Sequence, residues 1–384
     1  MKRLAGVLVL LVARSAAAVE LGSEGDLLSV DVHGFASPGF IYTTNQVNYL
    51  AQSDRGSFEF AEVGINFTKA LTDDLRLGLQ LFAGQLGPLG DYRPTVDWFY
   101  IDYHFRDWLG LRAGRVKIPF GLYNEINDVD SARVAVLQPQ ALYSETSRNF
   151  LLAQTGFELY GYHRFGSAGA LDYRFYLGTV FIDLPAPTPF LVWDSVRTPF
   201  IVGGRLLWET PLSGLRLAVS AQDLRIDGTI NVSLGVPETL TVQIPGALTA
   251  ASAEYTVGPF QAAVEYSRWF VGLNSSDPVI FPHEFVVSER AYVMATYRVN
   301  RWFWPGAYYA MYFPNVDDRS SPAGKGHDLA GTLRFDINAH WIVKLEGHLM
   351  AGTAELDSTL NGNQPQTALP PWWAAFLVKT TAYF

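Results

Sequence analysis

The ionisable side chains of this sequence recur at alternate positions along apolar runs. Arg76 stands among Leu75, Leu77, Leu79 and Leu81, and Arg174 among Tyr173, Phe175 and Leu177. Arg216 stands among Leu215, Leu217 and Val219, Glu265 between Val264 and Tyr266, and Arg334 among Leu333, Phe335 and Ile337. Asp102, Arg112, Glu158, Arg205, Glu254, Lys344 and Glu346 fall on polar faces of the same kind. Successive side chains on an extended chain point to opposite sides, so each run has one wet face and one apolar face. Charges in such an array act on ions and polar solutes. They do not by themselves make or break bonds. No HExxH, Walker or GxSxG segment occurs, and the seven His residues lack metal-ligand spacing. With no Cys, there is no thiolate nucleophile, disulfide or thiolate metal site. No catalytic residue, metal or cofactor is expected.

A second group of charges lies in one long link, 118–150, which holds Glu125, Asp128, Asp130, Arg133, Glu145 and Arg148. A connection of 33 residues in a compact fold is usually functional or disordered. Its acidic first half and its two arginines are expected to set a transverse field. Arg115 and Lys117 break the parity set by Arg112. They lie either beyond the strand or after a bulge.

The elements that would position these charges follow from the pattern. Charged residues make up 17% of the 384 residues, against about 25% in typical soluble domains. Yet the body has no run of the ~18 apolar residues that a membrane-crossing helix needs. Sixteen alternating segments can be drawn between Val30 and Phe384. Their links alternate between short and long. Short ones hold Thr72–Asp74, Arg106–Asp107, Gly166–Gly169, Pro211–Ser213, Gly258–Pro259, Asn300–Arg301 and Asn338–Ala339. Long ones cover 43–56, 84–94, 118–150, 182–200, 226–248, 270–286, 314–326 and 352–372. A soluble sandwich has no reason to sort its links by length. A closed antiparallel transmembrane β-barrel of about sixteen strands does, with short periplasmic turns and long extracellular loops. Sheet edges have no partner in hydrocarbon, so a spanning sheet must close, and this many strands leave room for water inside. Trp98, Trp108, Trp208, Trp269, Trp302, Trp304, Trp341, Trp372 and Trp373 sit near expected strand ends and suit interfacial girdles. Arg334 and Glu346, on adjacent strands, are expected to pair.

The first 18 residues have the order of an export signal. Met1-Lys2-Arg3 is basic, Leu4–Val12 is apolar and too short to span, and Ala16-Ala17-Ala18 suits cleavage, leaving 19–384 as the barrel. The remaining 25 basic and 37 acidic residues argue against a nucleic-acid partner.

The last segment ends on Phe384, which shares a face with Ala382, Thr380, Val378 and Phe376. It resembles the terminal strand of outer-membrane proteins, whose final aromatic is the signal read by the barrel-assembly machinery. The stretch Gly114-Arg115-Val116-Lys117-Ile118-Pro119-Phe120-Gly121-Leu122-Tyr123-Asn124-Glu125 is similar to a recurring segment of Gram-negative porins of the phosphate-selective (O/P-type) group. Asp336-Ile337-Asn338-Ala339-His340-Trp341-Ile342-Val343-Lys344-Leu345-Glu346-Gly347-His348 resembles a late hairpin of the same group. The dense basic ladders of phosphate-selective members are not evident. The resemblance implies a passive outer-membrane channel for small hydrophilic solutes or ions, usually trimeric and narrowed by inward-folded loops. Its partners would be outer-membrane lipids, periplasmic chaperones and the assembly machinery. A barrel enzyme of lipase or protease type and a plugged structural or adhesive barrel are the alternatives.

Overall fold

The computed structural model describes residues 19–21, 29–88, 90–182, 184, 191–234 and 236–384. The expected export segment 1–18 lies outside them. In chain order the strands are β1 Val19–Leu21, β2 Val30–Thr43, β3 Phe60–Ala70, β4 Leu75–Leu86, β5 Thr95–Arg106, β6 Leu109–Lys117, β7 Ala153–Arg164, β8 Ala170–Thr179 and β9 Leu191–Glu209. They continue as β10 Leu215–Leu234, β11 Val236–Val257, β12 Phe260–Ser275, β13 Glu284–Tyr297, β14 Phe303–Phe313, β15 Gly326–Asn338, β16 Trp341–Gly352 and β17 Trp372–Tyr383. From β2 to β17 each strand pairs antiparallel with its chain neighbours, and β17 returns to β2 through Val378↔Phe40 and Ala382↔Ala36. The sheet is therefore a closed barrel of sixteen strands, as the alternation predicts, with β1 as a short addition beside Val30–Val32.

Parity places the side chains. Phe157, Leu177, Val219, Val264, Val293, Leu329 and Leu349 are exposed on the outer face, forming an apolar belt. Their strand neighbours Glu158, Tyr176, Ala218, Glu265, Tyr292, Ala330 and His348 are buried inside. In water an apolar belt of this extent would be unfavourable; in hydrocarbon it is the stable face. Trp108, Trp208, Trp302, Trp341 and Trp372 are exposed with the belt. Trp269, Trp304 and Trp373 correct the girdle reading. Trp269 underlies the Arg290 guanidinium at 3.3 Å, Trp304 meets Arg334, and Trp373 is buried against Tyr49. Each has the parity of an inward residue, which outweighs its position near a strand end.

Three expected loops are largely strand. Links 182–200, 226–248 and 270–286 lose most of their length to β9, β10, β11, β12 and the start of β13; β9 to β12 run 19, 20, 22 and 16 residues. The β10–β11 register continues without a break to Leu234↔Val236. A strand of 22 residues spans about 70 Å, far more than the ~25 Å apolar band of a membrane barrel. The extra length is held by a second small core. Ile230, Val232, Leu240 and Val242 are buried together, with Leu191, Trp193, Ile280 and Phe281 packed on them. Apolar residues at alternate positions continue through Ile226, Ile230 and Val232, so the strand continues too.

Candidate functional site

The segment between β6 and β7 crosses the interior. Gly114 has φ +134, a region that L side chains rarely adopt, and its missing Cβ lets the backbone sit against Phe99 and Tyr100 of β5. Arg115 and Lys117 follow it. Arg115 Nε donates to the Asp97 carbonyl at 2.7 Å, and Lys117 Nζ lies 2.6 Å from Asp128 Oδ1. Both lie within β6, whose register with β5 and β7 has no shift at Gly114, and both still reach the network around Asp97 and Asp128.

From there the segment is bound to the inner wall at four places. At the first, Glu125 lies between Arg174 of β8 and Arg205 of β9, 3.0 Å from the latter. Both arginines also face Asp172. At the second, Asp128 accepts from Lys117 and lies 3.8 Å from Arg148, which also meets Asp97 of β5 at 2.9 Å. At the third, the Glu265 carboxylate of β12 accepts from Leu122 N at 2.9 Å, from Tyr292 Oη at 2.5 Å, and from the hydroxyls of Tyr143 and Ser252. Beside it Tyr123 Oη donates to Glu254 at 2.6 Å, and Arg216 pairs with the same carboxylate. Gly121, at φ +61, is required here. A Cβ would fall 2.5 Å from the Tyr143 hydroxyl and 2.7 Å from Glu265 Oε2.

The fourth place is the most heavily charged. The register sets Arg334 opposite Lys344, and Lys344 opposite Lys379, so three adjacent strands present three cations in a row. Like charges directly opposite are destabilising. Asp130 of the segment offsets them, with Oδ1 at 2.9 Å from Lys344, 3.8 Å from Lys379 and 3.6 Å from Arg133. Its other oxygen accepts from Thr381 at 2.6 Å. Arg334 donates to the carbonyls of Ser131 and Arg133 and pairs with Asp336. Glu346 accepts from two consecutive backbone amides, Val136 N at 2.7 Å and Leu137 N at 2.8 Å. The expected Arg334–Glu346 pair is therefore corrected. The register puts Thr332, not Arg334, opposite Glu346, and the two side chains hold different parts of the segment.

The electrostatics of the segment follow from these partners. Burial raises the Glu125 and Asp130 carboxyls, but the surrounding cations prevail and hold both below their ordinary values: Arg174 with Arg205 for Glu125, and Lys344 with Arg133 for Asp130. Asp128 is likewise held low, against burial, by Lys117 and Arg148. Three of the four acids in the segment are thus neutralised where they stand. The expected transverse field between an acidic half and two arginines gives way to separate local pairs. Glu145 is the exception: among the described residues it makes no ion pair, and burial pushes its carboxyl up.

Of the twelve wall residues assigned inward parity, Glu158, Arg205, Glu254, Glu265, Arg334, Lys344 and Glu346 are buried, Asp102, Arg112, Arg174 and Arg216 are half-buried, and Arg76 is exposed. Arg112 lies between Asp102 at 3.2 Å and Glu158 at 2.9 Å, and Arg76 shares a cavity with Asp102, Arg112 and Tyr160. That cavity, about 880 Å³, opens at the short-turn end beside Leu71–Leu75. A second, about 330 Å³, lies toward the long-link end between the segment and β3, β4 and β17. Two further residues of the interior charge network are Lys379 and His348. Lys379 carried a readable signal, because it alternates with the outward Phe376, Val378 and Thr380. His348 did not: only folding reveals that it bridges Asp328 at 3.0 Å and Glu346 at 3.1 Å. Among the described residues no cluster of His, Cys, Asp or Glu could hold a metal ion.

No family model matches the chain, and no curated protein matches it. Solved structures match throughout. An OmpF of Salmonella typhi, solved with daunomycin, superposes with a TM-score of 0.59 at 12% identity, covering 95% of this chain and 100% of that one. The outer-membrane expressed OmpT of Vibrio cholerae gives 0.58 at 12% identity, covering 95% and 100%. The anion-selective porin of Comamonas acidovorans gives 0.55 at 12% identity, covering 93% and 99%. At these identities the likeness is one of fold: this chain has the porin-like, sixteen-stranded barrel of outer-membrane proteins.

Proposed function

We propose that the chain is an outer-membrane channel through which small hydrophilic solutes and ions diffuse passively, exported by its first 18 residues and assembled as a trimer. One observation carries this reading. The inward segment narrows the interior without filling it: cavities of about 330 and 880 Å³ remain toward the two ends, both lined by charged side chains. The inner wall of a channel must stay wet and fixed in shape. The ion pairs at Glu125, Asp128 and Asp130 fix the segment, and the charges facing the cavities keep the path polar. In this reading Glu125, Asp128, Asp130, Arg133, Glu145 and Arg148 form the constriction. The short turns lie in the periplasm, and Phe384 addresses the chain to the barrel-assembly machinery. The trimeric form of one neighbour, the in-vitro folded OmpT of Vibrio cholerae, supports the oligomer. Planar-bilayer recording with purified protein is the test. Discrete conductance steps in KCl are expected, and repeated incorporation without steps would overturn the proposal.

A further inference from the structure

We propose that the cavity between the inward segment and β3, β4 and β17 is a binding subsite for an amphipathic monocarboxylate, an apolar body ending in one carboxylate. The inference deepens the channel reading and rests on it only in naming the solute class.

The cavity holds about 330 Å³, roomier than the ~150 Å³ that accepts a benzene ring. Its walls differ in kind. Phe60, Phe82 and Leu137 supply apolar surface, and Arg133, Arg148 and Lys379 supply positive charge. Two of these cations are already engaged. Arg148 pairs with Asp97 and lies 4.1 Å over the Phe82 ring, while Lys379 pairs with Glu62 and lies 5.1 Å from the Phe60 ring centre. Arg133 is different. Its side chain is only 3% exposed, and it approaches Asp130 at 3.6 Å, beyond a good hydrogen bond. Its Nε and Nη1 have no acceptor among the described residues. Buried guanidinium donors without acceptors are costly, and a carboxylate is the partner that best matches them.

The remaining charges set the valence. Glu62 and Glu145 also line the cavity. A ligand with a second negative charge would meet these acids. Inorganic phosphate would in addition leave the aromatic wall wet. A ligand with one charge and an apolar body satisfies both walls at once. A neutral analogue would leave Arg133 as it is.

Isothermal titration calorimetry on the purified, detergent-solubilised barrel tests this, with benzoate, benzyl alcohol and inorganic phosphate as probes. Benzoate is expected to bind, with the alcohol and phosphate about tenfold weaker or undetectable. Arg133→Gln should weaken benzoate about tenfold or more. Because Arg133 also faces Asp130, a second variant avoids the ion pairs: Leu86→Glu puts a repelling carboxylate on the apolar wall and should weaken benzoate comparably. Absence of benzoate binding to the wild type, unchanged affinity in either folded variant, or phosphate binding tighter than benzoate would each overturn the subsite. Calorimetry reads the subsite whether or not the barrel conducts. A barrel silent in KCl that still binds benzoate therefore sinks the channel and spares the subsite, and a conducting barrel indifferent to benzoate does the reverse.

Discussion

Asp130→Asn removes the negative charge that faces the row of cations on β15, β16 and β17 and leaves the shape nearly intact. With an effective dielectric of about 20, Coulomb's law gives about 6 kcal/mol of attraction at the 2.9 Å of Lys344 and about 4 kcal/mol at the 3.8 Å of Lys379. Desolvation of the buried groups cancels part of this. Breaking a buried pair from one side typically costs about 3–5 kcal/mol, because the abandoned charge stays buried. A penalty of that size shifts the balance between docked and undocked segment by about two to four powers of ten. Lys344 and Arg133, left without a carboxylate, would then face the lumen beside Lys379, which keeps Glu62. Single-channel recording under a KCl gradient should show larger, noisier openings and a reversal potential displaced toward anions. The same charge can be titrated. Because Asp130 is held below its ordinary value, its contribution is complete above about pH 4 and is lost only as the pH falls through the depressed value. Wild-type openings should therefore come to resemble the variant only in strong acid. Recordings of Asp130→Asn that match the wild type in amplitude, noise and reversal potential would refute the argument.

Three further outcomes follow from the same structure. Glu346→Ala frees the buried amides of Val136 and Leu137, at about 1–3 kcal/mol each, and should expose the middle of the segment to hydrogen exchange while the wall strands stay protected. Unchanged exchange at those two amides would count against the anchor. Burial, reinforced by Asp328, pushes the Glu355 carboxyl up to about 8 in the link after β16, where Tyr49 donates to it. Its unfolded value is about 4.3, so the stability it supports is complete below that value and is lost as the pH rises through about 8. Limited proteolysis of 353–371 should accelerate above that pH in the wild type and be flat in Glu355→Gln. Deleting 229–241 removes the far end of the β10–β11 extension; heat-modifiability and conductance should persist, and loss of barrel assembly would show that the extension belongs to the wall.

Alternation made the wall legible, because a barrel exposed to lipid on one side and water on the other imposes parity on every residue. The inward placement of Arg112, Glu158, Arg205 and Lys344 needed nothing more. Partners were not legible, because register decides them. A shift of two residues would have joined Arg334 to Glu346, and parity is blind to such a shift. The long β9–β12 extension escaped for a different reason. Thr229, Asn231, Thr239 and Thr241 look like loop chemistry, although Ile230, Val232, Leu240 and Val242 between them keep the strand period. Length of the segment between β6 and β7 marked it as important, but its four anchor points depend on contacts across the whole circumference.

Lys379 stands on the strand that seals the cylinder against β2. Bringing that strand home beside Lys344 crowds like charges unless the Asp130 carboxylate is already between them. Closure of the seam and docking of the inner segment are thereby coupled: the carboxylate that holds the segment in place also relieves the repulsion where the last strand meets its neighbour.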